Sequence, residues 1–346
     1  MEALEYALIS LSGDFSVNEM NSIIAEGISL NELLKSRIPF LPEYKQKKAV
    51  ASVSAVEKVL IKYKKNLLVY IQDNYPEYLR NINAPPTVIF FEGNEKLLFE
   101  DGTIAVVGSR KATSYGTSIA KQFSKELGEK GFVIISGLAA GIDACAHRGC
   151  LDAGGKTIAV LGTGIDIVYP SSNRELFHKI LKKGCIISEF LPGTPPMKQN
   201  FPRRNRIIAG LSRVAVIVEA TIRSGSLITA RLALENGREV LAIPGDITRR
   251  NSEGTNWLIK NGAKPVTELA DILEEFPGFT PVIEEKPKIE NSDSVVLNLL
   301  RDSPKDFNEL LVLTGFEYGQ LMEELLDLQL RGLITEAQGL WRFSPS

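Results

Sequence analysis

The sequence predicts an α/β fold: a doubly wound, mostly parallel sheet, with a small N-terminal helical (SAM-like) domain and a C-terminal winged-helix-like domain. Three observations lead there. Between Ile104 and Ile243, six short and continuously apolar runs alternate with helix-sized segments. Strands apolar on both sides belong to parallel sheets covered on both faces. Four of these runs end in small or glycine-containing turns, at the sheet edge where open α/β sheets bind ligands. Outside this region the pattern changes, to helical spacing before it and to three helices and a hairpin after it.

Residues 1–66 read as the helical domain, because LEYALISL and VEKVLIKY place apolar residues at helical spacing and no run alternates like a strand. Residues 67–275 read as the sheet domain. LLVYI (Leu67–Ile71) and TVIFF (Thr87–Phe91) are β-type runs around the proline-punctuated YPEYLRNINAPP. The buried-strand candidates follow: Ile104–Val107, Val133–Ile135, Thr157–Leu161, Cys185–Ser188, Val214–Val218 and Val240–Ile243. Strands and helices in this alternation make a Rossmann-like domain. FPGFTPVIEEKPKIENS, 276–292, is proline-rich, charged and aperiodic, and reads as a linker. In residues 293–346, helices are expected over Asp293–Arg301, Asp306–Leu313 and Glu317–Arg331, then a hairpin of LITE and LWRF.

Composition narrows the function. With 44% hydrophobic and 24% charged residues, the 346-residue chain has the profile of a globular protein. It shows no signal segment and no apolar run near the roughly 18 residues that span a bilayer. Three cysteines without ligand spacing suggest a reduced, cytoplasmic protein. Two histidines leave little for zinc or imidazole catalysis. No metal, cofactor or catalytic residue is expected. The net charge of −2 does not suggest a nucleic-acid protein, but its distribution does. Phe190–Val218 holds no acid and includes Lys198, Arg203, Arg204, Arg206 and Arg213; Gly102–Lys125 is also acid-free, with Arg110, Lys111, Lys121 and Lys125. Two such segments beside glycine turns point to an anion site.

The turns themselves are Gly108-Ser109-Arg110, SGLAAGID (Ser136–Asp143), GTGID (Gly162–Asp166) and EATIRSGSLITA (Glu219–Ala230). Neither the dinucleotide fingerprint nor a Walker sequence is present. Gly137 and Gly141 allow close backbone approach, and Ser224 or Ser226 can cap a helix whose Gly225 leaves amides uncovered. In PPMKQNFPRRNRIIAGLS, Pro202 suits the first position of a helix preceded by Asn200 or Phe201. Phe201 amid cations is either a base-stacking ring or a hydrophobic staple, and composition leaves both open. Several cradles and many cations along one edge fit an extended polyanion better than one nucleotide. Catalytic candidates are poor. Asp143 reads as the cap of the next helix, His147 as a core histidine, Cys145 and Cys150 as packing residues, and Glu219 as an acceptor for nearby amides.

VVGSR, SGLAAGID with AH, TIAVLGTGID with YP, FPRRNRIIAGLS, EA with SGSLITA, and IPG with GTNWLI and NGA occur in that order. From about Tyr75 to Ala263 the chain thereby resembles the DNA-processing protein A family (DprA, also called Smf) of bacterial natural transformation. The resemblance implies a non-catalytic protein that binds and protects incoming single-stranded DNA and loads RecA onto it. It also implies a homodimer through the Rossmann-like domain, with RecA and other competence proteins as partners. The implied DNA contacts are Ser109, Arg110, Gly137, Leu138, Ala139, Gly141, Lys198, Asn200, Phe201, Arg204, Asn205, Arg206, Arg223, Ser224, Gly225 and Ser226, some of Arg204, Asn205 and Arg206 bracing the pocket instead. Arg223 stands where some relatives have lysine. Two other readings compete. One is an enzyme on a nucleotide or nucleoside monophosphate, using Glu219. The other is a duplex-binding regulator, which the four acids and one arginine of Glu317–Arg331 disfavour.

Overall fold

Four helices open the chain: α1 (Ala3–Gly13), α2 (Val17–Ala25), α3 (Leu30–Lys35) and α4 (Glu43–Tyr63). Capping boxes start two of them. The Ser16 and Ser29 hydroxyls accept from the amides of Glu19 and Glu32, whose carboxylates accept from the serine amides in return. After β1 (Leu67–Val69), α5 (Glu77–Arg80) and β2 (Val88–Gly93) comes the alternating region. It runs β3 (Thr103–Val107), α6 (Ser114–Glu129), β4 (Val133–Ser136), α7 (Ile142–Asp152), β5 (Thr157–Val160), α8 (Arg174–Lys183) and β6 (Cys185–Ser188). It continues with α9 (Asn200–Leu211), β7 (Val214–Ile217), α10 (Gly225–Glu235), β8 (Glu239–Ala242), α11 (Glu253–Lys260), β9 (Lys264–Pro265) and α12 (Ala270–Leu273). The computed structural model describes residues 1–279, 294–337 and 339–344.

These strands form one sheet in the order β1-β2-β6-β5-β4-β3-β7-β8-β9. Pairing is parallel from β6 to β9, and β2 and β1 add an antiparallel edge. The winding reverses beside β3: one branch runs through β4, β5 and β6, the other through β7 and β8. A crevice therefore opens at the C-terminal ends of β3 and β7. Alternate residues of β3 serve opposite faces. Ile104 and Val106 join a core with residues of α6, α7 and α12, while Ala105 and Val107 join one with residues of α9 and α10. Burial on both faces is why these strands read as unbroken apolar runs. The two-residue edge strand β9 has no such run, and its Pro265 is tolerated only because it lies at an edge.

The helical start and the sheet share a core: Tyr6, Ile9 and Leu60 cluster with Val69, Phe90 and Ile186. Residue 66 thus marks a change of secondary structure within one packed body. The expected linker also begins inside packed chain. The rings of Phe276 and Phe279 lie 4.9 and 4.8 Å from that of Phe132; residues 280–292 fall outside the described ones. The chain divides into two compact units, Met1–Pro281 and Val282–Ser346. The second contains α13 (Val295–Asp302), β10 (Lys305–Asp306), α14 (Phe307–Thr314), α15 (Tyr318–Leu330), β11 (Ile334–Ala337) and β12 (Leu340–Phe343). Its antiparallel sheet, β10-β12-β11, and its own core around Leu300, Leu310, Leu321 and Leu325 match the expected three helices and hairpin, with β10 added. Among the described residues no helix is long and apolar enough to cross a membrane.

Candidate nucleic-acid interface

A cleft of about 910 Å³ occupies the crevice between β3 and β7. One wall is the turn Gly108–Lys111; the others come from Lys198 and the start of α9, from the turn into α10, and from Tyr169, Arg250 and Asn251. A smaller cavity of about 80 Å³ continues under Phe201 and Tyr169 to Gly162. The β3 turn is held from below. Ser109 donates its amide to the Glu219 carbonyl at 2.7 Å and accepts the Lys111 amide on its hydroxyl at 3.1 Å. The Glu219 carboxylate accepts the Thr113 amide at 2.9 Å and the Thr113 hydroxyl at 2.5 Å. It sits where Gly116 lacks a Cβ, so only glycine allows α6 to begin there. Glu219 is thus a buried tie between β7 and α6, and it does not line the cleft.

In SGLAAGID the expected phosphate cradle is already occupied by the chain's own carboxylate. Asp143 lies inside α7, one residue past its start, and does not cap it. Its side chain accepts the Gly137 amide at 3.1 Å and also binds the amides of Ala139 and Gly108. Burial raises its pKa, while Arg204 and the three amides oppose that shift. Leu138 is fully buried, with φ of +54°, and its carbonyl accepts from Asn173 at 3.0 Å. Its side chain therefore cannot meet DNA. Gly141 has φ of +80°, and a Cβ there would strike the backbone of Ser109 and Arg110. Of this turn Ala139 and Asp143 border the main cleft; Gly137, Ala139 and Ala140 border the smaller cavity.

The basic residues of α9 divide by environment. Arg204 is 3% exposed; it donates to the carbonyls of Gly137 (2.7 Å) and Val160 and to Asn205 Oδ1 (3.1 Å). Burial, with Arg110 adding to it and Asp143 opposing, pulls its pKa down to about 10. It braces the ends of β4 and β5. Arg206 pairs with the buried carboxylate of Glu189, which also takes Arg203 at 3.2 Å. Arg206 and the buried Asn200 lie off the cleft lining. Asn205 does line it, donating to the Gly225 carbonyl at 3.2 Å. Pro202 is the third helical residue, since Gln199 is the cap, and its missing amide is still within the unbonded first turn.

Arg110, Lys111, Lys198 and Arg250 line the cleft, exposed and without a carboxylate partner among the described residues. The Arg110 guanidinium lies 4.9 Å from the Phe201 ring centroid, and the Tyr169 ring 5.6 Å from it. Gly162 lets the Phe201 ring approach its backbone. Phe201 is therefore part of the cleft wall, where a ring can meet a base, and not a core residue. Ser224 caps α10, its hydroxyl accepting the Ser226 amide at 3.3 Å, and the space beside Gly225 is open. Arg223 is exposed on the same loop but outside the lining. Lys111, Tyr169, Arg250 and Asn251 also line the cleft, beyond the residues the sequence points to. Lys111 was visible beside Arg110, and the Arg249-Arg250 pair follows a glycine turn.

His147 is a core residue. It is fully buried, its Nδ1 2.7 Å from the Thr157 hydroxyl, and that hydroxyl donates to the Ile134 carbonyl at 2.6 Å. Burial first, then Arg204 and Arg148, lowers its pKa from 6.5 to about 3. The unfolded chain binds this proton near pH 6.5 and the native chain near pH 3, so His147 lowers stability as pH falls through that window and has no effect above it. Urea unfolding at several pH values should show the loss. In His147→Gln the acid limb should be flatter by up to about 1.4 kcal/mol per pH unit. An identical acid limb would rule this out.

Comparison with known proteins agrees with this architecture. The family model described as DNA recombination-mediator protein A matches residues 66–277. Protein Smf of Synechocystis sp. is 34% identical over 306 residues, 77% of each chain. DNA processing protein DprA of Streptococcus pneumoniae is 47% identical over 206 residues, 60% of this chain and 72% of that protein. An X-ray structure of the Streptococcus pneumoniae protein superposes with a TM-score of 0.70 at 36% identity, covering 80% of this chain and 98% of that one. A structure of the Helicobacter pylori DNA processing protein A, solved for its single-stranded DNA binding mode, gives a TM-score of 0.55 at 30% identity, covering 59% and 93%.

Proposed function

The chain belongs to the DNA recombination-mediator protein A family, and on that premise we propose that it binds single-stranded DNA in the cleft between β3 and β7. It protects incoming DNA during natural transformation and helps load RecA onto it for recombination. One observation carries the binding step: cations from three separate segments, without a carboxylate partner among the described residues, converge on a crevice that also holds two aromatic rings. Cations reach phosphates, the rings reach bases, and neither demands a sequence. The crevice carboxylate, Asp143, is spent on backbone amides, so little repels a polyanion. The protein acts without catalysis, in the cytoplasm, as a homodimer through the Rossmann-like domain, with RecA and other competence proteins as partners.

Glu219 lends no support to the rival reading of an enzyme on a nucleotide or nucleoside monophosphate, since its carboxylate is committed to Thr113 and lies outside the cleft lining. Among the described residues no three His, Cys, Asp or Glu side chains gather as metal ligands. Binding should survive EDTA, and because the rings need unpaired bases to stack on it should favour oligo-dT over duplex DNA of matched length. Fluorescence anisotropy with both probes, with and without chelator, is the test. Equal or tighter duplex binding would remove this reading.

A further inference from the structure

We propose that Arg250 is a phosphate contact on the far wall of the cleft, carrying the bound strand across the switch point onto the loop after β8. This deepens the single-stranded DNA reading and rests on it. The loop from Ile243 to Ser252 is tied at both ends. At its start, the Gly245 amide donates to Asn256 Oδ1 at 3.2 Å, Asn256 Nδ2 donates to the Gly245 carbonyl at 2.9 Å, and the Tyr115 hydroxyl donates to the Pro244 carbonyl at 3.1 Å. At its end, Asn251 Nδ2 donates to the Lys111 carbonyl at 2.8 Å and to Glu219 at 3.4 Å, and the Asn251 carbonyl accepts the Ala220 amide at 2.8 Å. Asn251 thus latches the loop onto the chain just beyond β3 and β7, the two strands that frame the crevice.

That latch separates two successive arginines. Arg249 pairs with Asp246 at 3.5 Å and lies off the cleft lining. Arg250 is exposed, lines the cleft and has no carboxylate partner among the described residues. A guanidinium facing an anion path with no acid of its own is free to fork onto a phosphate. It does so from a loop after β8, on the other side of the winding reversal from Lys198, which follows β6. A strand touching both must cross the crevice.

The neighbouring arginine supplies the control. Oligo-dT affinity should be measured against salt for the full chain and for Arg250→Ala, Arg249→Ala, Arg250→Lys, Asn251→Ala and Arg110→Ala. Losing one phosphate contact lowers the log–log slope by about 0.7, a roughly fivefold weakening at 0.1 M salt. Arg250→Ala should show that change, Arg249→Ala should not, and Arg250→Lys should restore the slope. Asn251→Ala removes no charge, yet should lose the same slope once the loop is unlatched. If Arg110→Ala lowers the slope while Arg250→Ala behaves like Arg249→Ala, this inference falls and the cleft reading stands. If neither Arg110→Ala nor Arg250→Ala changes it, both fall together.

Discussion

Arg204→Met should destabilise the protein by about 3–5 kcal/mol, the cost of removing one partner from a buried ionic arrangement. Methionine fills much of the volume but donates nothing. The carbonyls of Gly137 and Val160 and the Asn205 side chain would lose their donor inside the protein. Asp143 would lose the cation that opposes its burial. Arg204→Lys should not rescue, because one ammonium cannot serve three acceptors set around a planar fork. Urea unfolding measures the loss. A double variant with Asp143→Asn should cost less than the sum of the single changes, since it removes the stranded charge. Should Arg204→Met abolish DNA binding yet cost under about 1 kcal/mol, the residue would be a DNA contact and not a brace.

The Arg110→Ala, Lys198→Ala double variant should lose oligo-dT binding by about 25-fold at 0.1 M salt, two contacts of about fivefold each. Its thermal melt should match the parent. Both side chains are exposed and neither forms an ion pair among the described residues, so removing them takes nothing from the core. Arg110 also covers the Phe201 ring. Its loss bares that face, and the variant should keep whatever affinity base stacking supplies. Anisotropy titrations beside melts read both quantities. Parent-like affinity with a lowered melting temperature would assign these residues a structural role instead.

The sheet was legible because a strand buried on both faces must be apolar throughout, and Ile104, Val106, Ala105 and Val107 show that double burial directly. Two-residue strands such as Lys264–Pro265 and Lys305–Asp306 leave no such mark, being defined by pairing alone. In the site, residue type announced a basic crevice but could not rank its members. Arg204 and Arg110 look alike in a sequence. One is buried because its acceptors, Gly137 and Val160, lie 67 and 44 residues away, and only the fold brings them together. The same distance hid Asp143. Its glycine turn resembles an empty anion cradle until the carboxylate six residues on closes over the Gly137 amide. Asn251 fastens a loop 140 residues from the turn it grips, so nothing local tells Arg250, which lines the cleft, from Arg249, which does not.

The direct test of the cleft as a phosphate path is the salt dependence of oligo-dT binding for the parent chain and the Arg110→Ala, Lys198→Ala variant. The slope of log affinity against log salt should be shallower in the variant by about 1.4, two phosphates at 0.7 each. Parallel lines with undiminished affinity would place the DNA somewhere else on the protein.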